Sequence, residues 1–347
     1  MPTPRRVALV LGSGGARGYA HIGAVQVLKE RGYQIAAIAG TSMGAVIGGL
    51  EAAGKLEEYV DWVSTLNARD VLKLMDASPF GAGAIRLERV LAHMTDILDG
   101  ARIEELPIPY TAVATDLGAR REVWFTSGPV DVAIRASVSI PGAITPIMVN
   151  GRLLVDGGLL NPVPMDPVIS ADADFTLAVS LSGWTPTNFA GPSRQSADAQ
   201  PPNEWLDRFL RGAAGILEND LVASVLARFS RETPEPTPPP FDAAPAGLGI
   251  PQVTGLSLDT MSALITRFRL AAQPPDVLVT IPSTAARTMD FHRADELIEV
   301  GRRLTAAALD DAFGTGVPGV PGVPEVTGVP GPAGPPELEA VPRPEAG

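Results

Sequence analysis

The stretch RVALVLGSGGARGYAHIGAVQVLKERGYQIAAIAGTSMGAVIGGLEAAG, Arg6 to Gly54, decides the fold class. Arg6 to Leu11 is a short, largely apolar run of the kind that is buried on both faces in a parallel sheet. Ala16 to Arg31 reads as a helix that stops at Gly32, and Gln34 to Ala39 as a second apolar strand. Met43 to Ala53 then reads as another helix, closed by Gly54 as its C-cap. A strand, helix, strand, helix alternation with short connections predicts an α/β protein built on a mainly parallel central sheet.

Both strand-to-helix turns carry residues suited to chemistry. In the first, GSGGARG, Gly12 to Gly18, glycines let backbone amides converge on an anion at the positive end of a helix, although tight helix-on-strand packing accounts for the same glycines. A dinucleotide site asks for an acidic residue at the end of the second strand, where this chain has Ala39-Gly40-Thr41-Ser42. The second turn, Gly40-Thr41-Ser42-Met43-Gly44, is a G-x-S-x-G pentapeptide in the strand-turn-helix context of a nucleophile elbow. Ser42 is equally suited to be the N-cap of the following helix. A right-handed crossover sets Gly12 and Ser42 on the same carboxyl edge of the sheet, so amides of the glycine loop can face the serine as an oxyanion hole.

A serine nucleophile needs a base. An ordinary α/β-hydrolase supplies Asp and then His after the serine, and the histidines here are His93 and His292, with His21 lying before it. The elbow comes early for that order, directly after the second strand. The other candidate is Asp156, in LLVDGGLL, at the end of a hairpin strand signalled by Asn150-Gly151 between the apolar runs of Ile147 to Val155. Asp-Gly is also a turn former in its own right.

Further elements follow from periodicity. Arg86 to Leu98 reads as a helix, Tyr110 to Leu117 and Arg121 to Thr126 as strands, Asp131 to Ser139 as a short helix and Phe175 to Leu181 as a strand. Glu204 to Phe229 and Leu256 to Leu270 have helical spacing, Val277 to Ile281 reads as a strand, and Phe291 to Phe313 as a long amphipathic helix. Gly316 to Gly334 repeats glycine nearly every third residue, but about six triplets are too few for a collagen helix, so a disordered tail is expected.

Composition narrows the function classes. The 347 residues carry 39 acidic against 27 basic side chains, a formal net charge of −12 that disfavours nucleic acid as a partner. The absence of Cys removes disulfides, thiolate catalysis and Cys-based zinc sites. Val7 to Leu11 is too short for a secretory apolar region, and the charge-free run Tyr33 to Leu50 holds four glycines and a Thr-Ser pair, so a cytoplasmic protein is expected.

The glycine loop, the serine pentapeptide and Asp156-Gly157-Gly158 together resemble the patatin-like phospholipase family. The resemblance is to its bacterial branch related to the catalytic domain of neuropathy target esterase. It rests on ALVLGSGGARGYAHIG, AIAGTSMGA, AIRASVSIPG and LLVDGGLLNPVP, from about Arg5 to Leu181, and more loosely on PPDVLVTIP and MDFHRADELIEVG. It implies a three-layer α/β/α fold and a Ser-Asp dyad without histidine, Ser42 as nucleophile and Asp156 as base. It further implies that the amides of Gly14 and Gly15, in the loop with Arg17, stabilise the oxyanion, with Gly12, Gly18, Gly40, Gly44, Gly157 and Gly158 as motif glycines. One position departs from the pattern, where Ser13 stands for the first glycine of the hexapeptide.

The implied substrate is a phospholipid, lysophospholipid or other lipid acyl ester, with no cofactor and no metal, and with peripheral contact at the inner face of a membrane. A small-ester esterase or thioesterase using the same dyad and a catalytically weak lipid-binding regulatory protein are the alternatives. The resemblance divides the chain into a catalytic core over 5–182, a Pro/Gly-rich insert with an amphipathic helix over 183–255, a C-terminal part of the core over 256–313 and a tail over 314–347. The insert helix presents Trp205, Phe209 and Leu210 either to lipid or to the core or a partner subunit.

Overall fold

Strand β1 (Arg6–Leu11) alternates Val7, Leu9 and Leu11 with Ala8 and Val10, and all five side chains are at most 1% exposed. A strand buried on both faces needs neighbours on both edges and cover on both sides. The computed structural model describes residues 5–74, 83–85, 88–183 and 249–314. In it β1 runs parallel to β2 (Gln34–Thr41) on one edge and to β9 (Phe175–Gly183) on the other. Outside β9 lies the parallel strand β10 (Val277–Pro282), and outside β2 the parallel strand β4 (Tyr110–Asp116). The eight-stranded sheet is completed by β5 (Arg121–Phe125), β7 (Ile147–Val149) and β8 (Arg152–Asp156), all antiparallel to their neighbours. A small second sheet pairs β3 (Gly83–Ile85) with β6 (Gly142–Ile144).

The odd-numbered side of β1 faces the main core with α1 (Ala20–Glu30), α2 (Met43–Ala52), α3 (Leu56–Ser64), α5 (Glu88–Leu98), α6 (Val130–Ser137) and α8 (Ala294–Phe313). Ala8 and Val10 face the other way, onto Val163, Met165, Val168 and Leu270 of α7 (Ile250–Ala272). Helices thus cover both faces of a mostly parallel sheet, as the alternation predicts. Residues 256–314 return to the same sheet through β10 and α8, far along the chain from β1. Among the described residues no helix is long and apolar enough to cross a membrane.

Helices α1 and α8 cross at a pair of glycines. A Cβ on Gly301 would lie 2.0 Å from the carbonyl oxygen of Ala20, and one on Gly23 2.1 Å from that of Ile298. These neighbours are backbone, which cannot rotate away. Gly301→Ala is therefore expected to destabilise the protein by about 2–3 kcal/mol, the cost of overpacking a closed interior. Urea unfolding with an unchanged m-value and a lowered midpoint is the expected reading.

Several element boundaries differ from the periodic reading. The helix expected from Ala16 begins as a 3-10 turn, Gly15–Tyr19, and becomes α-helical only at Ala20, because Gly15 has φ 58 and the Ala16 amide is drawn to the carbonyl of Thr288 at 2.8 Å. The last helix starts at Ala294, not Phe291, since the Arg287–Arg293 segment closes on Asp290 in turns. The hairpin forms as expected, with Asn150 at φ 50 and Gly151 at φ 75, both positive as a type I′ turn requires. Helices α3 and α4 (Ala68–Leu74) and strands β3 and β6 were not anticipated. In α3 the buried trio Leu56, Tyr59 and Val63 has helical spacing but is embedded in a charged stretch. The expected insert helix Glu204 to Phe229 and the Gly-rich tail lie outside the described residues.

Candidate active site

The serine turn is as tight as backbone atoms permit. A Cβ on Gly40 would lie 2.2 Å from the carbonyl oxygen of Gly44, and one on Gly44 2.0 Å from that of Leu11. Between them Ser42 takes φ 57 and ψ −123, a conformation that costs a non-glycine residue about 1–3 kcal/mol. Its amide donates to Ser137 Oγ at 2.8 Å, and that hydroxyl donates to the carbonyl of Val113 at 2.6 Å, so the strained turn is tied to β4 and α6. The Ser42 side chain does not cap α2. Its hydroxyl instead faces the carboxyl of Asp156 and acts to lower that group's pKa.

Strand pairing explains how residues 114 positions apart meet. On β4, β2 pairs with residues 110–113 and β5 with residues 112–116, so these two take opposite edges. Strand β8 pairs with residues 114–116 and is excluded from the β5 edge, so it continues the edge that β2 leaves. Thr41 sits opposite Val113 and Asp156 opposite Ala114. The parallel strand β2 and the antiparallel strand β8 therefore run head-on toward each other, and the residues at their meeting ends are Thr41-Ser42 and Asp156. Gly157 keeps this junction closed, because a Cβ there would lie 2.2 Å from the Val113 carbonyl oxygen.

The Asp156 carboxyl is 5% exposed and also accepts the Gly158 amide at 2.7 Å. Burial pushes its pKa up to about 6, against the opposing pull of the Ser42 hydroxyl and the Gly158 amide. Its bond to the Gly158 amide caps the 3-10 turn Gly157–Leu159, so the turn reading of Asp-Gly is met.

The glycine loop faces this pair. Three of its amides are engaged: Gly12 donates to Val179, Ser13 to Pro162 and Ala16 to Thr288, at 2.8–2.9 Å. The amides of Gly14 and Gly15 take no acceptor among the described residues. Arg17 Nε donates to the Gly14 carbonyl and its Nη1 to the Ser283 carbonyl, each at 3.2 Å. In a trans peptide the carbonyl and the following N–H point in opposite directions, so holding the Gly14 oxygen aims the Gly15 amide away from Arg17. Gly15 and Ser42 line one cavity together. Its remaining wall is nearly all apolar and includes Met43, Trp62, Val90, Met94 and Ile134, from α2, α3, α5 and α6.

The patatin-like phospholipase family model matches residues 9–169, which contain Ser42, Asp156 and the glycine loop. An uncharacterized NTE family protein of Mycobacterium tuberculosis is 46% identical over 336 residues, covering 88% of this chain and 91% of its own. The chain belongs to the NTE family of patatin-like phospholipases. Lysophospholipase NTE1 of Yarrowia lipolytica is 31% identical over 194 residues, 53% of this chain and 13% of that protein. Patatin-like phospholipase domain-containing protein 7 of Rattus norvegicus is 31% identical over 193 residues, 54% of this chain and 14% of its own. Among solved structures, VipD from Legionella pneumophila aligns with a TM-score of 0.46 at 14% identity, over 90% of this chain and 67% of that one. As a patatin-like phospholipase this protein is a carboxylic ester hydrolase of lipid metabolism.

None of the three histidines is hydrogen-bonded to Ser42 among the described residues. His21 is fully buried with Nε2 2.8 Å from the Gly12 carbonyl, to which it donates, and burial lowers its pKa to about 4. His93 stacks on Trp62 with ring centroids 4.2 Å apart, and His292 is exposed ahead of α8. Ser13, the departure from the hexapeptide, has its Oγ where a Cβ on Gly158 would come within 2.5 Å, so it packs on the Asp156 turn. Two residues of the site carry no signal in the sequence: Ser137, which holds the Ser42 amide, and Asn161, whose carbonyl accepts Thr41 Oγ1 at 2.9 Å. Both stand inside quoted family stretches, but a lone Ser or Asn has no spacing rule that marks it.

Proposed function

We propose that the protein hydrolyses acyl esters of phospholipids or lysophospholipids with Ser42 as nucleophile and Asp156 as general base. The observation that carries this reading is the meeting of the β2 and β8 ends, which sets Ser42, in the wall of an apolar cavity, beside the buried Asp156 carboxyl. Asp156 takes the serine proton as Oγ attacks the acyl carbonyl, and its raised pKa brings its basicity closer to that of an effective base near neutrality. The free amides of Gly14 and Gly15 receive the oxyanion, while Arg17 orients the Gly14–Gly15 peptide. Asp156 returns the proton to the leaving alkoxide, leaving an acyl-serine. Water, deprotonated by Asp156, then cleaves that ester and releases the fatty acid.

The nearly all-apolar lining of the cavity favours an acyl chain over a short ester. Peripheral contact with a lipid surface is supported by one face of α7, where Val253, Leu256, Met261, Leu264 and Phe268 are 44–66% exposed. Hydrolysis of a chain-length series of p-nitrophenyl esters and lysophospholipids tests the substrate class. Wild type is expected to prefer long chains, and Val90→Trp, which fills the cavity from α5, is expected to lower kcat/KM for long chains about tenfold or more while sparing the butyrate ester. Equal preference for butyrate and long chains in wild type would overturn the lipid reading in favour of a small-ester esterase.

A further inference from the structure

Arg269 of α7 touches neither Ser42 nor Asp156, yet it is the centre of a network on the loop that follows Asp156. Its Nε donates to the Leu160 carbonyl at 3.1 Å, its Nη1 to Asp166 at 3.0 Å and its Nη2 to the Glu122 carboxylate of β5. Glu122 also accepts Asn161 Nδ2 at 2.8 Å and Trp124 Nε1 at 3.0 Å, and Gln273 donates to Asp166 at 2.8 Å. The loop is pinned internally too, since the amides of Leu160 and Asn161 both donate to Gly157, at 3.0 and 2.8 Å. The Asn161 carbonyl then takes Thr41 Oγ1, one residue before Ser42. One continuous set of hydrogen bonds thus runs from α7 through β5 to both sides of the Ser42–Asp156 contact.

An isolated ion pair at this exposure contributes little to stability. A planar guanidinium that reads a carbonyl and two carboxylates at once is a geometric clamp, which lysine cannot fully reproduce. We propose that Arg269, with Glu122 and Asn161, is a positioning residue that holds the 157–161 loop so that the Asp156 carboxyl faces Ser42. Helix α7 is thereby coupled to the dyad without contributing a reacting group.

This inference rests on the Ser42–Asp156 reading, and the experiment separates the two. Arg269→Gln is expected to lower kcat for a p-nitrophenyl ester about 10- to 100-fold with little change in KM, because binding in the cavity is untouched while the reacting pair is misplaced. Covalent labelling of Ser42 by a fluorophosphonate slows in parallel. Arg269→Lys recovers part of the loss, and Glu122→Gln, which keeps a neutral acceptor, shows a smaller loss of the same kind. Arg302→Gln removes an ion pair of α8 with Glu30 of α1 and is the control for general destabilisation, with kcat expected to stay within about twofold of wild type. Wild type that fails to label at Ser42 overturns the functional reading and this inference with it. Wild type that labels normally, with Arg269→Gln equal to it in kcat and labelling rate, overturns this inference alone.

Discussion

Replacing Ser42 with alanine is expected to abolish both lipid ester hydrolysis and covalent labelling by a fluorophosphonate. The loss in kcat is expected to be on the order of 10⁴-fold or more, since without Oγ no acyl-enzyme forms and only binding and the oxyanion donors remain. The fold is expected to survive. The Ser42 amide bond to Ser137 and the glycine contacts on either side involve no side-chain atom of Ser42. Alanine retains a Cβ at φ 57 and hence the same backbone strain, so the melting temperature moves little. Labelling that persisted in a folded Ser42→Ala protein, or activity within tenfold of wild type, would remove Ser42 from the chemistry.

Asp156→Asn is expected to move activity and stability in opposite directions. Activity falls by about 10³-fold or more, because an amide cannot take the serine proton. In wild type kcat/KM rises with pH through about 6 as Asp156 ionises, and this limb is absent from the residual activity of the variant. Stability follows the linkage sign. The folded pKa lies above the ordinary value of 3.8, so the folded state binds the proton more tightly than the unfolded chain does. The contribution of this group is greatest below about pH 4 and is lost as pH rises through about 6. At pH 8 the charged, buried carboxylate is therefore a net cost of at most about 3 kcal/mol, which the neutral amide removes. Denaturant unfolding of the two proteins at pH 4 and pH 8 checks this: the stability gain of Asp156→Asn is expected at pH 8 and small at pH 4. A gain at pH 4 and none at pH 8 would contradict the burial of an ionisable Asp156.

Much of the fold was legible because its signals are local. The apolar runs at Arg6–Leu11 and Gln34–Ala39, the Asn150-Gly151 turn and the amphipathic spacing of the last helix depend on residues within one or two turns of each other. Gly40 was legible for the same reason, since it presses against backbone within its own pentapeptide, whereas Gly44 meets the Leu11 carbonyl of β1. Helix starts were less legible. Whether the chain winds as α-helix at Ala16 or at Ala20 is decided by the carbonyl of Thr288, 272 positions away. Helix α3 was missed because three buried residues among charges form too weak a stripe to stand out.

Of the candidate site, sequence alone determined the residue types and the two turns: a serine between small residues after one strand, an aspartate before two glycines after another, and a glycine loop ahead of a helix. It also offered histidines as rival bases and could not rank them against Asp156. Tertiary structure gave these candidates different surroundings, on which the proposal of Asp156 rests. It buried His21 on the Gly12 carbonyl, stacked His93 on Trp62, left His292 exposed, and brought β8 onto the edge of β4 that β2 vacates at Thr41. The physical reason is that turn geometry is set by sterics between neighbours in the chain, whereas strand order, burial and the raised pKa of Asp156 are properties of what surrounds a residue in space.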